Sequence, residues 1–398
     1  NMEASLKLGN GDWGVKNDSL LAYDDFGGKF RPLPFDFTRA SSATVVNKQG
    51  LIETVQSGIP RIDFSDDANG ALKLEPQSTN LLRKSEEFYS IFVWSVNGGS
   101  VSNNILTSPD GNQTSSLFSL NGASNGVYQT YSTSIGFEYT FSVFIKPKGG
   151  ANRVNIAVIS GRNVLFDTVT GTVISNSTGL IYKSVFYANT GYWRLSVTDT
   201  AIATSSVCNI YSGANSLNEF YAWGAQVEQH SYSTSYIPTS GAIATRNQEL
   251  CNNATPVINS TEGVLYLEAS ALANGGVGDR SISLGDGGYS NKVELIYHNT
   301  PNRINFRVTL NGSLDVNISD FTFNQEQLLK IACKFSNNDF ALWINGVKRA
   351  TNITAVMPIG LNELSFNSTS TPFFGNTKDL KYYPKALADV QLEDLTTI

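Results

Sequence analysis

Histidine, cysteine and charged residues are scarce in this chain. Its 398 residues include two histidines and three cysteines, and only 16% are Asp, Glu, Lys or Arg, well below the usual quarter. The cysteines Cys208, Cys251 and Cys333 form no CxxC pair and no metal-binding spacing. We interpret them as buried thiols of a protein that folds in a reducing compartment. His230 and His298 have no Cys or His neighbour in sequence, which argues against a histidine-based metal site.

Long apolar runs and an excess of basic residues are also missing. No stretch of about eighteen apolar residues occurs, so no transmembrane span is predicted. The formal net charge of −6 argues against the basic surface that nucleic-acid binding requires. Hydrophobic residues at 41% and aromatic residues at 11% exclude intrinsic disorder. The length predicts two or three domains, each able to bury a core.

Apolar and polar residues alternate with a period of two along most of the chain. Clear examples cover residues 139–146, 153–158, 193–197 and 303–308. Alternation of this kind is typical of half-buried antiparallel strands, and Asn-Gly turns such as Asn345-Gly346 separate the runs. The pattern predicts an all-β fold of tandem antiparallel β-sandwiches, preceded by a short irregular N-terminal region.

Composition changes suggest five segments. We predict an N-terminal attachment or oligomerisation segment, a connecting module, a jelly roll, a linker and a second sandwich, over residues 1–37, 38–84, 85–248, 249–261 and 262–398.

Several short motifs between Thr38 and Arg246 resemble a module of tailed-phage and prophage virion proteins, mostly tail fibres. The motifs are TRASSAT (38–44), GLI (50–52), GIPRIDF (58–64), LEPQSTNL (74–81), WGAQVE (223–228) and SYIPTSG (235–241). In that group the module leads into a carbohydrate-binding-like jelly roll, so the resemblance implies one here. Arg39 and Arg61 lie inside the module, and we expect both to be structural, paired with a carboxylate such as Asp63 or Glu75.

Residues 262–398 resemble a sandwich of the concanavalin and laminin-G type. The residues that carry this resemblance are FALWINGVK (340–348) and NTKDLKYYPKAL (376–387). The likeness implies the fold, but this sandwich hosts lectins, adhesive modules, hydrolases and structural domains.

No catalytic pattern is evident in the sequence. A hydrolase of the concanavalin type would carry paired carboxylates on one strand, whereas Glu268, Glu294 and Glu363 stand singly. We therefore expect a protein that is not an enzyme. The alternative is a polysaccharide depolymerase, a glycosidase or a lyase, in which substitution of Glu294 or Glu363 would abolish activity.

Aromatic residues are the main candidates for a sugar site, because their ring faces stack on sugars. The predicted carbohydrate-binding residues are Trp94, Tyr128, Tyr131, Tyr289, Tyr297, His298 and Asn299. For each, the competing interpretation is a core residue or a solvent-facing strand end. Trp193, Trp223 and Trp343 are predicted to be core residues, and Trp13, in an irregular Gly-rich segment, to be exposed as an oligomer contact.

We predict no cofactor other than a single structural Ca²⁺ of the kind that such sandwiches sometimes bind, for which Asp279, Asp286 and Asp379 are the candidate ligands. The metal content is otherwise open.

These observations together predict a virion protein, assembled in the bacterial host cytoplasm. We expect a tail-fibre or head-appendage component that recognises the host by binding its surface glycans and that contacts other virion proteins, as a homotrimer. The remaining alternative is a decoration protein that binds no sugar.

Overall fold

The protein is described here from a computed structural model, which covers residues 3–16, 19–25, 29–90 and 92–398. The chain divides into two compact units. Unit 1 comprises residues 1–40, 56–76 and 248–398, and unit 2 comprises residues 41–55 and 77–247.

The described residues form thirty-three strands and one helix. The first half of the chain contains β1 (Leu6–Gly9), β2 (Gly14–Lys16), β3 (Ser19–Asp25), β4 (Phe30–Thr38), β5 (Ala43–Val46), β6 (Ile52–Val55), β7 (Arg61–Asp63), β8 (Ala71–Leu74), β9 (Ser78–Asn80), β10 (Ser95–Asn97), β11 (Ser100–Leu106), β12 (Ser115–Leu120), β13 (Gly126–Ser132), β14 (Glu138–Gly150), β15 (Arg153–Ile159), β16 (Arg162–Asp167), β17 (Val173–Asn176), β18 (Ile181–Tyr187) and β19 (Tyr192–Thr200). The second half contains β20 (Ser205–Ser212), β21 (Asn218–Glu228), β22 (Ala244–Arg246), β23 (Leu250–Asn252), β24 (Glu262–Ala271), β25 (Arg280–Gly285), β26 (Lys292–Tyr297), β27 (Ile304–Leu310), β28 (Ser313–Asp320), β29 (Leu329–Ser336), β30 (Phe340–Ile344), β31 (Val347–Asn352), β32 (Glu363–Ser365), β33 (Gly375–Tyr383) and α1 (Asp389–Thr396).

Unit 1 is a β-sandwich of two unequal sheets. Its larger, twelve-stranded sheet runs β23-β4-β3-β1-β33-β24-β29-β30-β31, with β2, β7 and β8 attached. The smaller sheet runs β28-β27-β26-β25-β32. Alternate residues such as Leu265 and Leu267 on one sheet and Leu284 and Leu295 on the other are buried in one core, as the period of two requires.

The N-terminal strands belong to this larger sheet. β1 pairs with β33 near the end of the chain and with β3, which pairs with β4. The structure therefore differs from the sequential division of the chain, since residues 3–16, 19–25 and 29–37 have a core that is supplied by strands more than 200 residues away. Residues 1–2, 17–18 and 26–28 of the predicted attachment segment lie outside the described residues.

The C-terminal helix covers part of the other face of the larger sheet. Leu392 of α1 is fully buried, and it packs in a second apolar cluster with Tyr266, Ala332 and Trp343. No helix among the described residues has the length and apolar character needed to cross a membrane.

Unit 2 is a sandwich of two six-stranded antiparallel sheets, β10-β13-β20-β15-β16-β17 and β11-β12-β21-β14-β19-β18. Together the two units confirm the predicted all-β fold of tandem sandwiches. A hairpin of β5 and β6 also belongs to unit 2, where Val46 and Ile52 pack with Phe144, Trp223 and Tyr236. The predicted connecting module, residues 38–84, thus contributes to both units.

A fully buried cluster of four charged side chains lies in unit 1. Arg61 contacts Glu75 at 2.8 Å, as predicted, and also Glu249; Arg39 contacts Glu249 at 2.7 Å. Burial lowers the pKa of Arg61, but the two carboxylates outweigh it and hold this pKa above its ordinary value. Asp63, the other predicted partner, pairs with Lys73 at 3.5 Å.

Unit 2 also buries two charged side chains, Glu228 and Arg246, and a neutral side chain, that of Asn80, connects segments of its backbone by hydrogen bonds. The Asn80 side chain donates to the carbonyls of Ala225 and Ile237 and accepts from the amides of Leu82 and Val227, at 2.9–3.2 Å. All five residues lie in or beside the phage-like motifs. The phage-like motifs therefore contain residues whose hydrogen bonds connect separate backbone segments of this sandwich.

Candidate functional site

Three of the seven predicted sugar-binding residues are part of a core. Trp94 is 1% exposed, and its indole N–H donates to the Lys84 carbonyl at 2.7 Å. The Tyr131 and Tyr297 hydroxyls donate to the carbonyls of Val158 and Ala269, at 2.6 and 3.0 Å. These rings have no free face for a sugar, and the structure contradicts their predicted role.

His298 and Asn299 stabilise a local turn. His298 Nδ1 accepts from the Thr300 amide at 2.9 Å, and Asn299 Oδ1 accepts from the Gly278 amide at 2.8 Å. Burial lowers the pKa of His298, although the Asp279 carboxylate opposes this shift. Because Tyr297 faces the core, these three consecutive residues do not form the predicted stacking site.

Tyr128 and Tyr289 remain accessible. Tyr128 is half-buried on β13, opposite Ser95 and Asn209. Tyr289 is 66% exposed and lies at the rim of a polar basin. Their predicted role stays a prediction.

The three candidate calcium ligands lie apart, each with its own partners. Asp279 accepts from the Asn299 amide, Asp286 accepts from the Gly288 amide, and Asp379 accepts from Lys381. Across the part of the chain that the structure describes, no group of three or more His, Cys, Asp or Glu side chains is placed to hold a metal ion.

One feature of unit 1 suited to a ligand is an open cleft, here called the Trp13 cleft. It has a volume of about 530 Å³ and is lined by Lys7, residues 9–13, Tyr23, Asp379 and Lys381. This volume falls within the range of roughly 300–1,000 Å³ that small-molecule sites occupy.

A tight turn between β1 and β2 fixes Trp13 at the cleft. Gly9, Asn10 and Gly11 have φ angles of 87°, 51° and 91°, a left-handed region that Gly and Asn tolerate best. A Cβ on Gly9 would lie 2.6 Å from the Trp13 ring, so only glycine lets the indole lie against this backbone. The Trp13 indole N–H donates to the Asn69 carbonyl at 2.7 Å, which fixes the orientation of the ring.

Strand register supplies the floor of the cleft. Tyr23, Lys7 and Lys381 are successive partners across β3, β1 and β33, and Tyr266 on β24 continues the row. Side chains directly opposite each other on neighbouring strands contact one another, and the Lys381 ammonium lies 5.3 Å from the centre of the Tyr266 ring. The row combines ring faces with hydrogen-bond donors.

Two carboxylates lie next to this row. Asp379 is the direct partner of Glu268 across β33 and β24. A register shift beside Glu268 accommodates Lys378, which contacts Glu268 at 3.4 Å. Burial raises the pKa of Asp379; the Lys381 ammonium lowers it, and the Glu268 carboxylate adds to the rise. The sequence analysis missed this pair because the two acids are 111 positions apart.

The sequence analysis also predicts a different role for Trp13, that of an exposed oligomer contact. Its irregular Gly-rich surroundings indicated exposure, and the structure finds it half-buried, lining a cleft. The missing information was the pairing of β1 with β33, which brings Asp379 and Lys381 to the same place.

Comparisons with known proteins add little beyond the fold. No family model and no curated protein matches the chain. Solved structures that match include the CBM40 domain of a Ruminococcus gnavus IT-sialidase bound to α2,3-sialyllactose (18% identity, TM-score 0.30, covering 35% of this chain and 83% of that one). A leech intramolecular trans-sialidase matches at 19% identity and TM-score 0.28, over 35% of this chain and 24% of the other. A Trypanosoma rangeli sialidase bound to the inhibitor DANA matches at 10% identity and TM-score 0.29, over 95% and 65%.

The TM-scores of these structural matches, 0.28–0.30, are too low to support a shared ligand or activity. They do correct one expectation, that the chain is not an enzyme, because sialidases stand among the matched structures. The premise of that expectation also fails, since Glu268 and Asp379 are paired in space. The protein is thus defined as one built from two antiparallel β-sandwiches, with a candidate ligand cleft in unit 1.

Proposed function

We propose that this chain is a glycan-binding protein of a tailed-phage or prophage virion surface, and that the Trp13 cleft holds the glycan. The observation that carries the proposal is the combination of Trp13 and Tyr23 with lysine and aspartate side chains in one open cleft. Aromatic faces suit the apolar faces of sugar rings, and fixed charged groups suit their hydroxyls.

The virion assignment depends on the phage-like motifs. It includes attachment to other virion proteins, a homotrimeric state and recognition of host-surface glycans. Mass spectrometry of purified particles should find the chain, and sedimentation analysis should give three times the 43.2 kDa mass. Absence from the particles would contradict the virion role, and a monomer would contradict the trimer.

Glycan binding is tested by calorimetry. A microarray of bacterial surface glycans first identifies a ligand, which is then titrated into the full chain and the Trp13→Ala variant. Loss of one aromatic contact is expected to weaken binding about tenfold. Phe137→Ala removes an aromatic residue of unit 2 that is 54% exposed and serves as the matched control. Equal affinity of the Trp13→Ala variant and the full chain would contradict the site.

A second candidate function, glycoside hydrolysis, is favoured by the pair of Asp379, which lines the same cleft, and Glu268, its partner on the neighbouring strand. Glycosidases use two carboxyl groups about 5–9 Å apart, one of which must be protonated to act as the acid. The raised pKa of Asp379 fits that role. Release of reducing ends from the bound glycan should be lost in both Asp379→Asn and Glu268→Gln, with Glu393→Gln, at an exposed position of α1, as the control. Full activity in either of the first two variants would contradict it.

A further inference from the structure

A second polar depression lies on the outer face of the five-stranded sheet of unit 1. This Tyr289 basin has a volume of about 180 Å³. Its floor follows from register, because Gly285 of β25 pairs with Lys292 and Glu363, and Ser283 pairs with Ser365. The intervening residues of these strands face the core, so the outward row is polar throughout.

Two buried hydrogen-bond acceptors line this basin. The side-chain oxygens of Asn252 and Asn367 are both inaccessible and have no hydrogen-bond partner among the described residues. An unsatisfied buried polar atom costs about 1–3 kcal/mol, and native proteins rarely leave one without a reason. Both side chains are half-buried, so rotation of each amide group towards the basin would let its oxygen accept a hydrogen bond from a ligand.

On the opposite side of the basin, the polar side chains already contact one another. The Lys292 ammonium donates to the hydroxyls of Ser368 and Thr369 at 2.9 and 3.1 Å, and lies 3.0 Å from Glu294. Thr369 has a φ angle of 64° and is the one residue besides Gly and Asn with a left-handed backbone in the described chain. A β-branched residue in that conformation is strained, and such strain is found most often at ligand sites.

The chemistry of the basin selects among ligands. The positive charge of Lys292 disfavours a metal cation, and the carboxylate of Glu363 disfavours an anion. Hydroxyl groups supply the donors that Asn252 and Asn367 require. Tyr289, 66% exposed at the rim, presents a ring face for the apolar side of a sugar.

We propose that the Tyr289 basin binds one neutral pyranose residue. It is a second site, separate from the Trp13 cleft, and it deepens the proposed glycan-binding function, on which it rests. Its volume of about 180 Å³ against about 530 Å³ for the cleft limits it to a single sugar unit.

Saturation-transfer difference NMR tests the proposal on the full chain. The probes are the methyl glycosides of glucose, galactose and mannose, each at millimolar concentration. At least one should receive saturation, and its signal should fall about tenfold in Tyr289→Ala and also in Asn367→Ala. Because Tyr289 is exposed, its substitution leaves the core intact. Tyr89→Ala, which removes a 57% exposed tyrosine of unit 2, is the matched control.

The Trp13→Ala variant separates the two proposals. A signal that persists in Trp13→Ala supports the basin, even if that variant no longer binds the larger glycan. A signal lost in Trp13→Ala and kept in Tyr289→Ala overturns the basin and leaves the cleft. No transfer to any of the three glycosides, or displacement of a bound glycoside by Ca²⁺ alone, would also overturn it.

Discussion

The two units differ in where their informative residues lie. Unit 2 holds most of the phage-like motifs, and motif residues such as Asn80 are buried and bonded to backbone. Unit 1 holds the two ligand depressions, which are lined by residues such as Trp13 and Tyr289 that belong to no motif. The difference teaches that the phage-like motifs describe the fold, whereas the candidate ligand-binding residues lie in unit 1, outside those motifs.

A buried ionic cluster in unit 1 and a buried neutral side chain in unit 2 offer a second comparison. Unit 1 buries Arg39, Arg61, Glu75 and Glu249 as ions. Unit 2 buries the charged Glu228 and Arg246 as well, and its neutral Asn80 side chain bonds only to backbone groups. Removing one member of a buried ionic cluster leaves an unmatched charge, which costs more than an unmatched neutral group. Stability measurements can test this difference.

The largest effect is expected from Glu249→Ala. Glu249 contacts both Arg39 and Arg61, so its removal leaves two buried guanidinium groups with less compensation. The free energy of unfolding of unit 1 should fall by about 3–5 kcal/mol, measured by urea denaturation. Glu393→Ala, at an exposed position of α1, is the control. A loss no larger than that of the control would contradict the structural role of the cluster.

The second largest loss in the free energy of unfolding is expected from Asn80→Ala. It leaves two carbonyls and two amides of unit 2 without their side-chain partner. A loss of about 2–3 kcal/mol is expected for a buried group of this kind, in the same assay. Asn176→Ala, at an exposed position of β17, should change little. If Asn80→Ala costs more than Glu249→Ala, the proposed contrast between the buried ionic cluster and the buried neutral side chain fails.

The smallest effect on the free energy of unfolding is expected from substitution of Asp24 in unit 1. This side chain is 1% exposed, its carboxylate lies 3.7 Å from the Arg31 guanidinium, and burial raises its pKa. The folded protein therefore binds this proton more tightly than the unfolded chain. Its contribution to the free energy of unfolding is greatest below the ordinary pKa of 3.8 and falls as the pH rises through the raised value.

Asp24→Asn should consequently be more stable than the unsubstituted protein at neutral pH, and this advantage should vanish on acidification. Thermal unfolding measured across the acidic range checks the sign. Asp66→Asn, at an exposed position, is the control. A neutral-pH destabilisation by Asp24→Asn would show that its contact with Arg31 outweighs the cost of burial.

The fold was largely predictable from the sequence, and the sites were not. Alternation along runs such as residues 303–308 predicts strands, because burial of one sheet face imposes the period of two. Pairing of β1 with β33 depends on contacts across more than 360 positions, which local patterns do not encode. Tyr297 and Tyr131 were misassigned for a related reason, since an aromatic residue in a strand can face either side of the sheet.

The Trp13 cleft is tested most directly by fluorine NMR of the full chain labelled with 5-fluorotryptophan. Trp94, Trp223 and Trp343 are buried, whereas Trp13 in unit 1 and Trp193 in unit 2 are half-buried. Single Trp→Phe variants assign the five signals. Addition of a glycan ligand should shift the Trp13 signal and leave the others unchanged. A shift of Trp193, whose ring lies 4.8 Å from that of the exposed Phe186, without a shift of Trp13 would move the site to unit 2 and contradict the account.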